Sequence, residues 1–420
     1  MNGYAWLQRV LAAILVSSLI AVPGCAPGVK PVVEAPTPPP DVGDGPIRIA
    51  AIFGKSGAEA ASGEFDYRGA RLAIDFINRQ GGLLGRSLEL VELDNRSDAD
   101  GSREAAGKAV AMGVLAVIGG DFSDNSLAMA PILQKAGIPM ITPISTDPAL
   151  TQAGDYIFRA CYTDSFQGKI MAYYAYQELK ADTAAILTNR KSDYSVKLSD
   201  WFKRYYTQYG GTIVMEEGYG FVDAADAAGQ AGGSIVWEGA AATDPAAVFR
   251  KIKELKPNVV FVPGYEKDSG IVLKEAREAG LSQVFLGGDG WNGEMLKYAG
   301  KAANGSYFMS HWHRDLDSDA NRRFLHEYKV KFGEGAHIIS NAPLAFDAVM
   351  LLADAVQRAR TFDRSKVRAA LVRTRNFEGA TGSITFDKSG DPKDKDGIIL
   401  KFDNGKVRYL KTIWEKKGIR

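Results

Sequence analysis

Two cysteines and four histidines are all that this 420-residue chain holds of the side chains that staple small folds or favour zinc. Cys25 lies in an N-terminal targeting stretch, so Cys161 has no partner and no disulfide framework is available. His311 and His313 form H-W-H and would share one face of a strand. No third ligand accompanies them at zinc spacing, since His326 and His337 fall in other elements. A strand end at a crossover is the simpler reading, and no metal is expected. Neither charge sign prevails: 51 Lys and Arg against 50 Asp and Glu leave no basic field for nucleic acid. There is no G-x-S-x-G nucleophile elbow, and Cys161 reads as a small buried hydrophobe. G-K-S at 54–56 lacks the earlier glycine of a phosphate loop, that position being Ile49 inside a strand. Gly288, Gly290 and Gly293 spell G-x-G-x-x-G, but Asp289 would set a carboxylate where a pyrophosphate lies. A turn that presents Asp289 is the better account. These absences argue against an enzyme and against any bound cofactor.

What is present is an ordinary folding composition, 46% hydrophobic and 24% charged, on a chain long enough for two domains. Residues 1–25 read as a signal peptide: Arg9 precedes an apolar run, Val10 to Val22, too short to span ~30 Å of hydrocarbon. The run ends in V-P-G-C, which resembles a lipobox with Cys25 as the lipid-bearing residue. Pro23 departs from the small residue usual there, and the alternative is a plainly cleaved signal. Residues 26–45, with P-T-P-P-P at their centre, read as a semi-extended tether.

From Ile47 onward, strand and helix patterns alternate. I-R-I-A-A-I-F (47–53) and L-E-L-V-E-L-D (88–94) are strands, with a helix carrying Phe65, Leu72, Phe76 and Ile77 between them. Val114 to Ile118 and Tyr156 to Cys161 continue the series. A second series follows, with strands at 183–188, 212–216, 258–262 and 283–287. Helices then fill 317–332, 343–360 and 364–372, before strands at 383–387, 398–402 and a last one ending at Trp414. Repeated βα units predict two Rossmann-like lobes, each a parallel sheet with flanking helices. The late elements imply that the lobes exchange strands: 46–164 with 313–388 as one, 165–312 with 389–414 as the other. Within the second, G-G-T-I-V-M-E-E-G reappears as G-G-S-I-V-W-E-G, and one copy in 218–239 is either an inserted strand or a slack loop.

Val117 to Pro148 organises the rest. It reads as a buried strand, a polar loop, a helix from about Ser126, and a second strand with its own Ser/Thr loop. Ser123 and Thr146 would then share the carboxyl rim of one sheet, beside a helix N-terminus that favours an anion. Singly each could be a cap or a turn residue. Tyr194, Tyr265 and Asp289 fall at corresponding strand ends of the other lobe. Hydroxyls at one end and a carboxylate at the other suit a zwitterion. Asp124 and Asp147 read as caps or loop solvation.

The chain resembles the branched-chain amino-acid (Leu/Ile/Val) substrate-binding proteins of ABC importers, of the type I periplasmic-binding fold. The likeness runs from Ile47 to Trp414. It rests on G-A-R-L-A-I-D-F-I-N-R-Q-G-G-L-L-G-R (69–86), V-I-G-G (117–120), A-G-I-P-M-I-T-P (136–143), F-R-A-C-Y-T-D-S-F-Q-G (158–168), K-P-N-V-V-F-V-P-G-Y (256–265) and F-L-G-G-D-G-W (285–291). The resemblance implies that Ser123, Thr146 and the backbone of Ile144, Ser145 and Thr146 hold a ligand carboxylate. It implies Asp289 for the ammonium with Tyr265 beside it, Tyr194 stacked over the ligand, and Trp291 as a wall of the side-chain pocket. Ser62 stands where many relatives have an aromatic residue, with Phe65 or Tyr67 as substitutes. The disulfide of some relatives is absent, Ser97 and Phe122 standing near those places. The implied protein is a monomeric, lipid-anchored solute-binding component of an importer, periplasmic or on the cell surface. It would bind a branched-chain or other aliphatic amino acid with hinge closure and be read by an ABC permease. A sensory receptor, or a binder of an amide, a urea-like molecule or an aromatic acid, remains open.

Overall fold

Strand β1 (Ile47–Phe53) is apolar except at Arg48, as a strand buried on both faces must be. In the computed structural model, which describes residues 45–225, 231–238, 246–393 and 395–413, it lies inside a five-stranded parallel sheet. Its neighbours are β2 (Leu88–Asp94) and β3 (Val117–Gly119), with β4 (Met140–Thr142) and β5 (Ile157–Arg159) beyond β3. Helices α1 (Ala60–Arg79), α2 (Ala99–Ala111), α3 (Ser123–Ala136) and the short α4 (Ala149–Gln152) connect the strands. Alternation along β1 divides the core: Ile47, Ile49, Ala51 and Phe53 face α1, while Ala50 and Ile52 face α2 and α3.

The second sheet has eight strands and mixed direction. After α5 (Asp164–Tyr173) and a π-helical turn at Tyr174–Glu178 come β6 (Thr183–Asn189), α6 (Asp193–Gln208), β7 (Thr212–Ala225) and β8 (Ala231–Trp237). Then follow α7 (Ala246–Leu255), β9 (Val259–Phe261), α8 (Glu266–Glu278), β10 (Val284–Gly287), α9 (Leu296–Ala299) and β11 (Tyr307–Ser310). Ala185 and Leu187 of β6 pack with α7 and α8, and Ala184 and Ile186 with α5 and α6. The chain then returns to the first sheet as α10 (Asp319–Phe332), α11 (Asn341–Ala359) and α12 (Arg364–Val372). Helix α11 lies so close to α1 that a Cβ on Gly69 would stand 2.0 Å from the Ala342 carbonyl oxygen. A small antiparallel sheet, β12 (Phe377–Gly379), β13 (Gly382–Phe386) and β14 (Pro392–Lys393), precedes β15 (Gly397–Asp403) and β16 (Lys406–Ile413), which complete the second sheet, β15 antiparallel to β11 and β16 antiparallel to β15.

The chain therefore passes between the sheets three times: after β5, after β11 and before β15. The duplicated stretch resolves into an antiparallel strand pair at one edge of the sheet. Its first copy pairs with β6, and its second copy forms β8, which pairs with the far half of β7, Tyr219 opposite Trp237. The targeting segment, Cys25, the tether up to Asp44, and Trp414 lie outside the described residues. Among the described residues no helix is long and apolar enough to cross a membrane.

Candidate functional site

One wall of the cleft is built by the turns after β3 and β4. Helix α3 begins at Ser123, three residues before the position the sequence suggests, because Phe122 is extended (φ −74, ψ 143) and takes the N-cap position without a side-chain cap. The first-turn N–H groups of α3 thus have neither helical acceptors nor a capping side chain. Ser126 is spent elsewhere: its hydroxyl accepts from the Gly120 N–H at 3.0 Å and shares a 2.6 Å bond with the Ser145 hydroxyl, tying the two turns together. Ser123 Oγ accepts from the Asp147 N–H at 3.3 Å. Beneath the second turn the buried Arg159 guanidinium donates to the carbonyls of Ser145 (2.8 Å) and Asp147 (2.7 Å), and pairs with Asp391. Burial pushes the Cys161 thiol up to about 12, and it donates to the Ser145 carbonyl at 3.3 Å.

The facing wall belongs to the second lobe. Tyr194, in the first turn of α6, donates to Asp289 Oδ1 at 2.9 Å and accepts from the Gly290 N–H at 3.0 Å. A Cβ on Gly288 would stand 2.6 Å from the Tyr194 hydroxyl, so this turn admits only glycine while Tyr194 keeps its place. Asp289 Oδ2 meets His311 Nε2 at 2.6 Å, and the Asp289 N–H donates to Gln167 Oε1 at 2.5 Å. His311 is fully buried and stacked on Tyr162 with ring centroids 3.8 Å apart. Burial pulls its pKa below the ordinary range, against the opposing pull of Asp289, so a neutral ring donates from Nε2. Tyr265, at the N-cap of α8, is stacked on Phe122 of the first lobe at 3.7 Å and on Tyr194 at 4.9 Å. Lys197 of α6 pairs with Asp147 of the first lobe.

Ser123, Ile144, Thr146, Tyr194, Tyr265 and Asp289 line one cavity between the lobes. Two of the expected residues do not. Ser145, expected to act through its backbone, gives its N–H to Thr142 Oγ1 at 3.1 Å and turns its hydroxyl into the loop, donating to the Asp121 carbonyl at 2.9 Å. Trp291 is no pocket wall: 1% exposed, it packs against Phe308 and Phe402 in the core of the second lobe, where Gly287 leaves room for its indole. Ser62 itself lines the cavity. Neither suggested substitute does, because Phe65 packs edge-on against His337 and the Tyr67 hydroxyl bonds the Phe53 and Leu93 carbonyls. Sequence reasoning missed Phe122, Asp121, Glu266 and the supporting His311 and Arg159. H-W-H and F-R-A-C were visible signals, but the partners that give these residues meaning are distant in the chain.

The lining includes three carboxyl groups, Asp121, Glu266 and Asp289, and no Lys, Arg or His. Burial raises Asp121 to about 6 and Glu266 to about 8; the Asp289 charge adds to the first and the Asp121 charge to the second. Behind them Glu59 and Asp66 are held well above the carboxylate range by burial and by Asp121. The cavity volume is about 20 Å³, room for one water. A larger hollow of about 430 Å³ adjoins it at Asn292, but it lies outside both Ser/Thr turns.

A family model described as periplasmic binding protein matches residues 46–231 and 220–406, two stretches that overlap at 220–231. The chain belongs to that family. Among periplasmic binding proteins it is 30% identical to the leucine-, isoleucine-, valine-, threonine- and alanine-binding protein of Pseudomonas aeruginosa, over 86% of this chain and 91% of that one. The leucine binding protein LivK of Thermotoga maritima is 31% identical, with a TM-score of 0.78 over 88% of this chain and 99% of the other. The branched-chain amino acid transporter substrate binding protein LivJ of Streptococcus pneumoniae, solved with isoleucine, gives 31% identity and a TM-score of 0.77 over the same shares. The two lobes and mixed second sheet are thus those of a type I periplasmic binding protein.

Proposed function

We propose that this chain is the extracytoplasmic solute-binding component of an ABC importer and takes a free amino acid between its lobes. The observation that carries this reading is the opposition of two walls: Ser123, Thr146 and the uncapped start of α3 on one side, Asp289 on the other. The α-carboxylate sits against the two hydroxyls, the first N–H groups of α3 and the backbone of Ile144 and Thr146. The α-ammonium sits against Asp289, which Tyr194 and His311 hold in place. Tyr265 and Tyr194 supply aromatic faces. Each charge-assisted bond contributes ~1.5–3 kcal/mol, and lost ligand freedom offsets part of the sum. A net of about −8 kcal/mol corresponds to micromolar affinity.

A space of about 20 Å³ does not admit an amino acid. The lobes therefore part at the three crossings to admit the ligand, Tyr265 leaves Phe122, and the walls close on the bound molecule. A membrane permease reads the closed form. Cys25, lipidated, anchors the protein to the membrane surface through the 26–45 tether. The relatives named for leucine, isoleucine and valine support the substrate class.

Thermal unfolding of the full chain against free amino acids and their amides tests this. A ligand at 100 times its dissociation constant adds about 2.7 kcal/mol, several degrees of melting temperature. A shift with at least one free amino acid, lost in its amide, is expected. If none of the free acids moves the transition, the reading fails.

A further inference from the structure

We propose that the cleft prefers an amino acid whose side chain carries a second cation, an ammonium or guanidinium held between Asp121 and Glu266. This rests on the amino-acid reading above. A zwitterion brings one ammonium, and Asp289 matches it. Asp121 and Glu266 line the same cavity at 7% exposure each, in surplus of that need, and no cationic side chain among the lining residues neutralises them. The Asp121 carboxyl is hydrogen-bonded by Ser62, Asn341 and the Asp66 carboxyl, none of them a cation, and Glu59 Oε2 behind it is buried without a close partner. Buried carboxyl groups with no cationic partner are costly, and a ligand cation that donates to them removes part of the cost. The raised protonation of Asp121 and Glu266 has the same cause: burial first, with the neighbouring carboxylates adding to it.

A further observation favours an organic cation. Phe122, Tyr265 and Tyr194 form a continuous aromatic stack beside the carboxyls, and ring faces attract ammonium and guanidinium groups. Ile144 is the one aliphatic side chain among the lining residues, and the rings of Phe122, Tyr194 and Tyr265 supply the other apolar walls. The carboxyls are spread over the walls: among the described residues no three His, Cys, Asp or Glu side chains are placed to hold a metal ion.

Calorimetric titration of the full chain with L-arginine against L-citrulline, and L-lysine against L-norleucine, isolates the charge. We expect at least one charged member to bind tenfold or more tightly than its uncharged counterpart. Asp121→Asn should reduce that ratio several-fold, and Glu266→Gln offers the same readout should the first variant not fold. Norleucine or leucine binding as tightly as both cations would overturn the inference and leave the amino-acid reading intact. Absence of binding by every amino acid would overturn both. A calcium-induced stabilisation abolished by Asp121→Asn would assign the acidic surplus to a metal and likewise overturn it.

Discussion

Asp289 has both carboxylate oxygens engaged before any ligand arrives, one by Tyr194 and one by His311, so its position is fixed by two long-range bonds. Trp291, two residues on, has the opposite character: it is core. Trp291→Ala should cost ~3–5 kcal/mol of stability, as large aromatic truncations in cores do. The order of ligand preference should persist in the folded fraction; a changed order would restore Trp291 to the pocket. The buried acids make a second prediction. Glu266 titrates near 8 in the native state against an ordinary 4.5, so between these values the folded chain holds a proton that the unfolded chain has lost. Its contribution is fully present below pH 4.5 and is lost as pH rises through 8. The melting temperature of the ligand-free protein should therefore fall from pH 5 to 8, less steeply in Glu266→Gln; an identical slope in the variant would refute this assignment. That Ser123, Thr146 and Asp289 reach the cavity wall was legible in the sequence because hydroxyls and a carboxylate follow apolar strands. Asp121, Phe122 and His311 were not, since their roles come from residues at least 22 positions away or from the opposite lobe.

At the level of elements, the start of α3 shows why residue preference is a weak guide to boundaries. Ser126 has the chemistry of an N-cap, yet its hydroxyl joins the β3 and β4 turns, and the helix begins at Ser123 where the extended Phe122 permits it. Periodicity located β1, β2, α1 and the late helices because each buries one continuous stripe or alternating set. It could not assign the repeated G-G-x-I-V segment, because both copies have strand patterns and only pairing distinguishes β7 from the edge strand β8. The turn after β10 is the element on which the second wall depends. A methyl at Gly288 would meet Leu198 and Tyr194 of α6 at 2.6 Å, so Gly288→Ala should displace α6 from the turn. Overpacking of this kind costs ~1–3 kcal/mol, and ligand affinity should fall at least tenfold, measured by titration of the folded variant. Undiminished affinity would mean that Tyr194 does not set the wall.

Over the whole molecule, three crossings join two lobes that each contribute half of one small cavity, and contacts on opposite sides of it, Phe122 with Tyr265 and Asp147 with Lys197, hold the walls together. The lobe exchange was readable from the late helices and strands alone, whereas the narrowness of the cleft was not, because it depends on how the aromatic side chains of the two lobes stack. Both lobes grip one ligand. Calorimetric titration of the full chain with its best free amino acid, beside Ser123→Ala from the first wall and Asp289→Asn from the second, tests that most directly. We predict one ligand per chain and a loss of tenfold or more in each variant, equivalent to at least 1.4 kcal/mol. Full affinity retained in either folded variant would contradict a site shared between the lobes.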